Sequence, residues 1–243
     1  MKVAVIGGTG LIGSQVVTLL NAEGHQAVPH SPATGVDLLT GDGLAGALDG
    51  ADVVVNLSNS PVFDETAVPF FRTSMDNLLA AAASAGVGHA VILSIVGVDR
   101  VPGYAYYRAK VLQEDLLKAG PVPYSIVRST QFDEFLNRQI SDAAKDADPV
   151  RLPATKVQPV ASADIARAVA DVVVGAPLNA TRNVAGPEVF SIAELGRITL
   201  AEWGDPRRVV EDAPEADDEA RILQPGDEAS ISKTPYREWL AGR

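Results

Sequence analysis

Tyr106 and Lys110 stand four residues apart in Tyr104-Ala-Tyr106-Tyr107-Arg-Ala-Lys110. That spacing puts both side chains on one face of a helix. A phenol with its ordinary pKa near 10 is a poor proton donor at neutral pH. An ammonium beside it stabilises the phenolate, lowers that pKa and makes proton exchange with a substrate oxygen practicable. Ser94, twelve residues before Tyr106 and at the end of a predicted strand, offers a hydroxyl that can hold a carbonyl oxygen. The three read as a proton relay. The alternative reading of the pair is an aromatic packing residue next to a solvated lysine.

A second set of residues suits an anion. Gly7-Gly-Thr9-Gly10-Leu11-Ile12-Gly13 follows the apolar, β-branched run Lys2-Val-Ala-Val-Ile6 and precedes Ser14-Gln-Val-Val-Thr-Leu-Leu-Asn21, which predicts a helix. Strand, glycine turn and helix in this order form the pyrophosphate cradle of a dinucleotide-binding unit. Glycines let the chain turn sharply, let the backbone approach the pyrophosphate, and let the helix pack close to the sheet. The unpaired N–H groups and dipole of the helix N-terminus favour the negative charge.

The remaining elements must bring these groups to one edge of a sheet. His25-Gln-Ala-Val-Pro-His30 predicts a second strand, with Gly24 closing the helix before it. The adenosine ribose of a dinucleotide belongs at the end of that strand. His30, Ser31 and Pro32 occupy the place, with neither the acid that marks NAD nor the arginine that marks NADP. A carboxylate would repel a 2′-phosphate, so its absence tilts the expectation to NADP(H) over NAD(H), with Ser31 the phosphate contact and His30 a coenzyme neighbour or a surface histidine. Gly35-Val-Asp37-Leu38-Leu39 predicts a short third strand, Asp37 and Leu38 flanking an adenine, unless Asp37 merely caps a helix over 42–49. Residues 51–57 predict a fourth strand ending in Ser58-Asn59-Ser60-Pro61, and a helix over 66–86 follows. Residues 89–94 predict a fifth strand, a helix ends near Gly120, and residues 123–128 predict a sixth.

Strand and helix alternate over residues 1–130, which predicts an α/β fold of the Rossmann type with a doubly wound parallel sheet. Residues 1–150 are expected to form the dinucleotide-binding domain, and residues 151–243 a smaller substrate lobe packed on it and closing over the substrate. Within that lobe lie two short strands in 149–159, a capped helix from Ser162, a late strand from Thr181, a capping box Ser191-Ile-Ala-Glu194 opening a helix to Trp203, and a turn around Trp239.

Gly7 to Gly13, Ser94, Tyr106-x-x-x-Lys110, Tyr124-Ser-Ile-Val-Arg128-Ser-Thr-Gln-Phe132 and Val160-Ala-Ser-Ala-Asp164 together resemble an atypical short-chain dehydrogenase/reductase, nearest to the NmrA-like and NAD(P)H-binding proteins. The resemblance covers most of the chain. It implies that Gly7, Thr9, Gly10, Leu11 and Ile12 line the pyrophosphate, and that Ser58 and Asn59, with Leu57 before them, edge the ribose. It also implies that Lys110 binds nicotinamide ribose hydroxyls and that residues 129–132, beginning with Ser129, face the nicotinamide. Some proteins of this group bind the dinucleotide without turnover and act as redox sensors.

Composition narrows the field. Of 243 residues none is cysteine, which removes disulfides, thiolate metal sites and cysteine nucleophiles and fits a cytoplasmic setting. His25, His30 and His89 lack ligand spacing, so no metal is expected. The net charge of −11 disfavours nucleic acid. Part of that charge sits in Glu211, Asp212, Glu215, Asp217, Asp218 and Glu219, expected to be a solvated surface segment or a partner patch. Met1-Lys2 leads directly into a strand, so no signal segment is expected, and no apolar run approaches the ~20 residues that span a bilayer. Phe63, Phe70, Phe71, Phe132 and Phe135 either line an apolar pocket or belong to the core. The expected activity is hydride transfer between NAD(P) and a small carbonyl or quinone, in a monomer or homodimer. A dinucleotide-sensing regulator is the second expectation, and a sugar-nucleotide epimerase or dehydratase the third, ranked last because the chain is short for a nucleotide-sugar lobe.

Overall fold

The computed structural model describes residues 1–145, 147–214, 225 and 228–243. They divide into two compact units, Met1–Arg128 with Ala166–Arg182, and Ser129–Ile165 with Asn183–Arg243. The chain therefore changes unit three times, where the sequence predicts one boundary at residue 150.

In the first unit β1 (Lys2–Ile6), β2 (Gln26–His30), β3 (Val53–Asn56), β4 (His89–Ile95) and β5 (Tyr124–Ser129, whose last residue belongs to the second unit) lie in the order β5-β4-β3-β1-β2. The register is parallel, with Val3 opposite both Ala27 and Val53, and Val55 opposite Val91. Because side chains alternate across a strand, β1 serves two faces. Ala4 and Ile6 join Val54, Met75, Leu78 and Leu117 in one apolar cluster, covered by α2 (Leu44–Leu48), α3 (Ala67–Ala85) and α4 (Ala105–Ala119). Val3 and Val5, fully buried, do not belong to that cluster. Helix α1 (Leu11–Ala22) packs on β1 and β2, and Arg167 pairs with Glu23 just beyond it. Each fully buried aliphatic side chain here contributes about 1.5–3 kcal/mol. This is the Rossmann-like α/β arrangement, and its strands read as continuous apolar runs because both faces are covered.

The predicted third strand over 35–39 is not formed. Residues 32–34 make a short 3-10 turn, and Asp37 folds the chain back, its carboxylate accepting from Leu39 N–H at 2.7 Å and its carbonyl from Gly41 N–H at 2.9 Å. The alternation that suggested a strand comes from Val36 and Leu38, both buried in the core without a ladder. Nor does the Asp37 carboxylate cap α2, whose N-cap is Gly43.

The second unit holds α5 (Asp133–Ala144), β6 (Val150–Pro153), β7 (Lys156–Val157), the start of α6 (Ser162–Val174), the end of β8 (Thr181–Ala185), β9 (Phe190–Ser191), α7 (Ile192–Glu202), β10 (Val209–Asp212), β11 (Ser230–Ile231) and α8 (Tyr236–Ala241). Strands β6 and β10 pair in parallel, β7 and β9 antiparallel, and β11 runs beside Val184 and Ala185 of β8. The capping box forms, Glu194 N–H donating to Ser191 Oγ at 3.0 Å. Glu211 and Asp212 pair with Arg197 and Arg151, while Glu215, Asp217, Asp218 and Glu219 lie outside the described residues. Among the described residues no helix is long and apolar enough to cross a membrane.

Asp133 opens α5 at 1% exposure, and neither carboxylate oxygen has a hydrogen-bond partner among the described residues. Burial, then the charges of Glu134 and Asp164, push its pKa up to about 8, against the pull of Arg243 and with a further push from Glu188. The folded state thus holds this proton more tightly than the unfolded chain. The stability that the protonated form gives is complete below the unfolded value of 3.8 and is lost as pH rises through about 8. Asp133→Asn is expected to raise the melting temperature by several degrees near pH 8 and to flatten its decline with pH, in thermal melts across that range. Equal melting curves for the two proteins would refute this.

Candidate functional site

The glycine turn sits where β1 ends. Gly7 has φ +75°, and a Cβ there would stand 2.7 Å from the Leu57 carbonyl carbon. Its N–H and that of Gly8 donate to the His30 carbonyl at 2.8 and 3.3 Å. A Cβ on Gly13 would lie 2.1 Å from the Gly7 carbonyl oxygen, so α1 rests on the turn with backbone against backbone. Helix α1 accordingly starts at Leu11, three residues before the predicted start. Gly10 differs, since a Cβ there would meet only the Gly7 oxygen, at 3.3 Å. The fold itself requires Gly7 and Gly13, whereas Gly10 leaves space at the mouth of the turn. Gly10 is also the N-cap and provides no side-chain hydrogen bond to the first turn. Thr9, Gly10 and Leu11 are exposed there, and Ile12 is buried.

Ser31 follows β2 at 8% exposure, and its hydroxyl has no hydrogen-bond partner among the described residues. Thr34 instead serves the Ser31 backbone, its Oγ1 accepting from the Ser31 N–H at 2.8 Å. Burial, and to a smaller degree the Lys2 charge, lowers the His30 pKa. An orphaned hydroxyl at the ribose end and an open glycine at the helix N-terminus both suit a bound dinucleotide. At the end of β3, Asn56 Oδ1 accepts from Ser58 N–H at 3.0 Å and from Ser58 Oγ at 2.6 Å, which shapes the backbone of residues 56–58 beside Gly7.

Tyr106 and Lys110 lie one turn apart on α4, as their spacing predicts. Tyr106 donates its hydroxyl proton to Asn59 Oδ1 at 2.6 Å. Phe63 meets the ring edge-on at 4.8 Å, and Phe71 lies 6.2 Å away. Lys110 is buried, donating to the Leu93 carbonyl at 2.8 Å and to Gln113 Oε1, with its amine 5.0 Å from the centre of the Phe71 ring. Burial lowers its pKa to about 7, against the opposing charge of Glu114.

The expectation that Lys110 acidifies Tyr106 is corrected. Burial raises the phenol above its ordinary value, the Asn59 hydrogen bond opposes that rise, and the lysine charge makes no contribution. The physical reason is that Lys110 has turned into the core, where the Leu93 carbonyl and Gln113 hold its protons.

Ser94 is buried at 3% exposure, and its hydroxyl has no hydrogen-bond partner among the described residues. Burial alone would raise Glu114, but the hydrogen bonds from Arg128, the Ser94 hydroxyl nearby and the charges of Arg128 and Lys118 hold its carboxyl below the usual range. Arg128 grips Glu114 in a fork, Nε to Oε1 at 2.8 Å and a terminal nitrogen to Oε2 at 2.7 Å. Gln113 and Glu114 were not singled out from the sequence. Their signal is that Ala109, Gln113 and Leu117 form one i, i+4 stripe, with Lys110 and Glu114 beside it, all buried; polar residues on a core stripe mark a constrained site. Ser129 is buried and lies in the second unit. Of the phenylalanines, Phe71 is core, Phe63 and Phe135 are exposed, and Phe70 lines a cavity of about 460 Å³ with Leu39, Ser60, Val62 and Thr73. Neither Tyr106 nor the glycine turn borders that cavity.

A family profile described as NAD(P)H-binding matches residues 7–175. No curated protein sequence matches the chain. Among solved structures, the Bordetella bronchiseptica enzyme WbmH in complex with NAD+ superposes with a TM-score of 0.74 at 19% identity, over 99% of this chain and 96% of that one. The Thermus thermophilus UDP-glucose 4-epimerase complex with NAD gives 0.76 at 18%, over 99% and 97%. RMD from Pseudomonas aeruginosa complexed with NADPH gives 0.74 at 15%, over 99% and 97%. These likenesses establish a common fold.

The two glycines separate stability from binding. Gly13→Ala should lose about 1–3 kcal/mol or more through backbone overpacking, seen in chemical denaturation. Gly10→Ala should melt close to the wild type yet bind NADPH and NADH at least tenfold more weakly in a fluorescence titration, because its methyl occupies the mouth of the turn. Undiminished binding by Gly10→Ala would remove the turn from the site.

Proposed function

The chain belongs to the family described as NAD(P)H-binding, and on that premise we propose that it is an NAD(P)-dependent oxidoreductase of the atypical short-chain dehydrogenase/reductase type, reducing a small carbonyl or quinone-type acceptor. The observation that carries this reading is the hydroxyl of Tyr106, on the first turn of a helix, which among the described residues is bonded to the neutral amide of Asn59 and to no charged group. Such a phenol is protonated at neutral pH and gives its proton up only as negative charge develops on the acceptor oxygen.

When bound, the nicotinamide supplies the hydride. The chain's own residues do the rest. The N–H groups at the start of α1 hold the pyrophosphate, and Gly10 leaves room for it. Ser31, with no acidic residue from Gln26 to Val36, meets a 2′-phosphate without repulsion, which favours NADP(H) over NAD(H). Leu57 and Ser58 border the turn, and Asp37 and Leu38 stand beyond Ser31 for the adenine. Phe63 and Phe71 shield the Tyr106 ring from water on two sides. Lys110, its pKa lowered to about 7 by burial, would reach the ribose hydroxyls if turned outward. Ser94, whose hydroxyl has no hydrogen-bond partner among the described residues, would orient the acceptor oxygen. Residues 1–150 as coenzyme domain, residues 151–243 as substrate lobe with Ser129 at the start of the nicotinamide-facing run, a cytoplasmic location, and a monomer or homodimer complete the proposal.

Two other readings have one observation each. The raised pKa of Tyr106 suits an NmrA-like sensor that binds without turnover. Structural neighbours that include a UDP-glucose 4-epimerase and MoeE5 in complex with UDP-glucose and NAD suit a nucleotide sugar as substrate.

NADPH oxidation measured against a panel of aldehydes, quinones and UDP-sugars decides among them. Turnover with an aldehyde or quinone, lowered about 10²–10⁴-fold in Tyr106→Phe with binding of NADPH unchanged, is the expected result. Binding without oxidation would favour the sensor, and conversion of a UDP-sugar the third reading. Ser31→Asp is expected to reverse the coenzyme preference towards NADH, read as the ratio of the two dissociation constants.

A further inference from the structure

We propose that Asn59 is the positioning residue that governs the proton on Tyr106, accepting from the phenol through Oδ1 and, after its amide rotates, donating to the phenolate through Nδ2. The inference rests on Tyr106 as proton donor, and it moves to Asn59 the part that the helix spacing gives to Lys110.

Three observations support it. The Tyr106 hydroxyl and Asn59 Oδ1 are 2.6 Å apart, a short bond even for O–H to O. Lys110 is engaged elsewhere, with the Leu93 carbonyl, the Gln113 amide and the Phe71 ring. The aromatic neighbours of the Tyr106 ring are Phe63 from the segment after β3, Phe71 from α3 and Tyr107 from its own helix, and the ring also packs on the buried cluster of Ala67, Phe71 and Ala109. Arg108 of α4 is engaged with Glu65 and with the Pro102 and Gly103 carbonyls, and the causes that shift the phenol are burial and the Asn59 hydrogen bond.

An amide suits this position better than an ammonium does. Lysine can only donate, so it stabilises phenolate and opposes phenol. Asparagine carries an acceptor and a donor on one planar group, so a half-turn about its terminal torsion follows the proton. As the Tyr106 O–H bond breaks, the proton goes to the acceptor oxygen, the electron pair stays on the phenolate, and Nδ2–H takes the place of Oδ1. A proton from water then restores the phenol, with no net change in Asn59.

The test reads the phenol itself. The full-length protein is labelled with ¹³Cζ-tyrosine and titrated by NMR, the Tyr106 resonance being assigned by its loss in Tyr106→Phe. Asn59→Leu, which neither accepts nor donates, should move the Tyr106 titration upward by about one unit or more. Asn59→Asp, of the same size but without the donor, should move it further upward and keeps the test open if leucine disturbs the segment. Asn59→Gln should bring it part of the way back. Lys110→Met should leave it within about 0.3 unit. An upward shift in Lys110→Met with Asn59→Leu and Asn59→Asp unchanged would overturn the proposal. Because no turnover is needed, a failed oxidoreductase assay and a failed Asn59 assignment give separate results.

Discussion

The contact on which the first unit depends is the approach of helix α1 to the Gly7 carbonyl, so close that a single methyl on Gly13 would overlap the oxygen. This backbone-on-backbone contact fixes where the helix begins. It thereby sets its N-terminal amides at the end of β1, the strand between β2 and β3. The turn is tied to both flanking strands: the His30 carbonyl at the end of β2 receives its amides, and Leu57 after β3 packs on Gly7. Ser31 and Ser58 are each one residue beyond those ties. The candidate coenzyme contacts owe their positions to main chain, which tolerates fewer arrangements than side chains do.

Helix α4 is built on a different constraint. Its buried stripe carries Lys110, Gln113 and Glu114 in places where a core helix would have leucine. Burying unpaired charge costs several kcal/mol, so Lys110 and Glu114 must each find a partner. Glu114 takes Arg128 in a bidentate pair, and Lys110 takes the Leu93 carbonyl and Gln113. These bonds restrict the rotation of α4 about its axis. With that rotation fixed, Tyr106, one turn before Lys110, faces Asn59 and Phe63.

The fold was largely legible because its signals are local. An apolar run ending in Gly7-Gly-Thr-Gly10 announces strand, turn and helix, and Ser191 with Glu194 announces a helix start. The strand expected over 35–39 failed for a reason that local pattern does not carry. Val36 and Leu38 alternate as strand residues do, but their burial comes from α2 and α3, while Asp37 bends the backbone through its own carboxylate. The candidate site was legible in its residue types and in the shared helix of Tyr106 and Lys110. The direction of the Lys110 side chain was not, since it depends on Leu93, Gln113 and Glu114, whose placement follows from tertiary packing. Asn59 lies 47 residues before Tyr106, and no spacing rule links them.

The threefold passage of the chain between the two units bears on how fragments of it would behave. A polypeptide stopped at residue 150 would contain every strand of the β5-to-β2 series but would lack 166–182. That segment gives β5 its outer neighbour: the Ala180 carbonyl accepts from Ile126 N–H at 3.1 Å, Asn179 bonds Tyr124, and Leu178 N–H reaches Ser125 Oγ, which also meets the buried His89. Such a truncation would expose the amides of β5 as an open edge, ready to pair with a second molecule. The first unit is thus complete only when a later stretch of the sequence has returned to it.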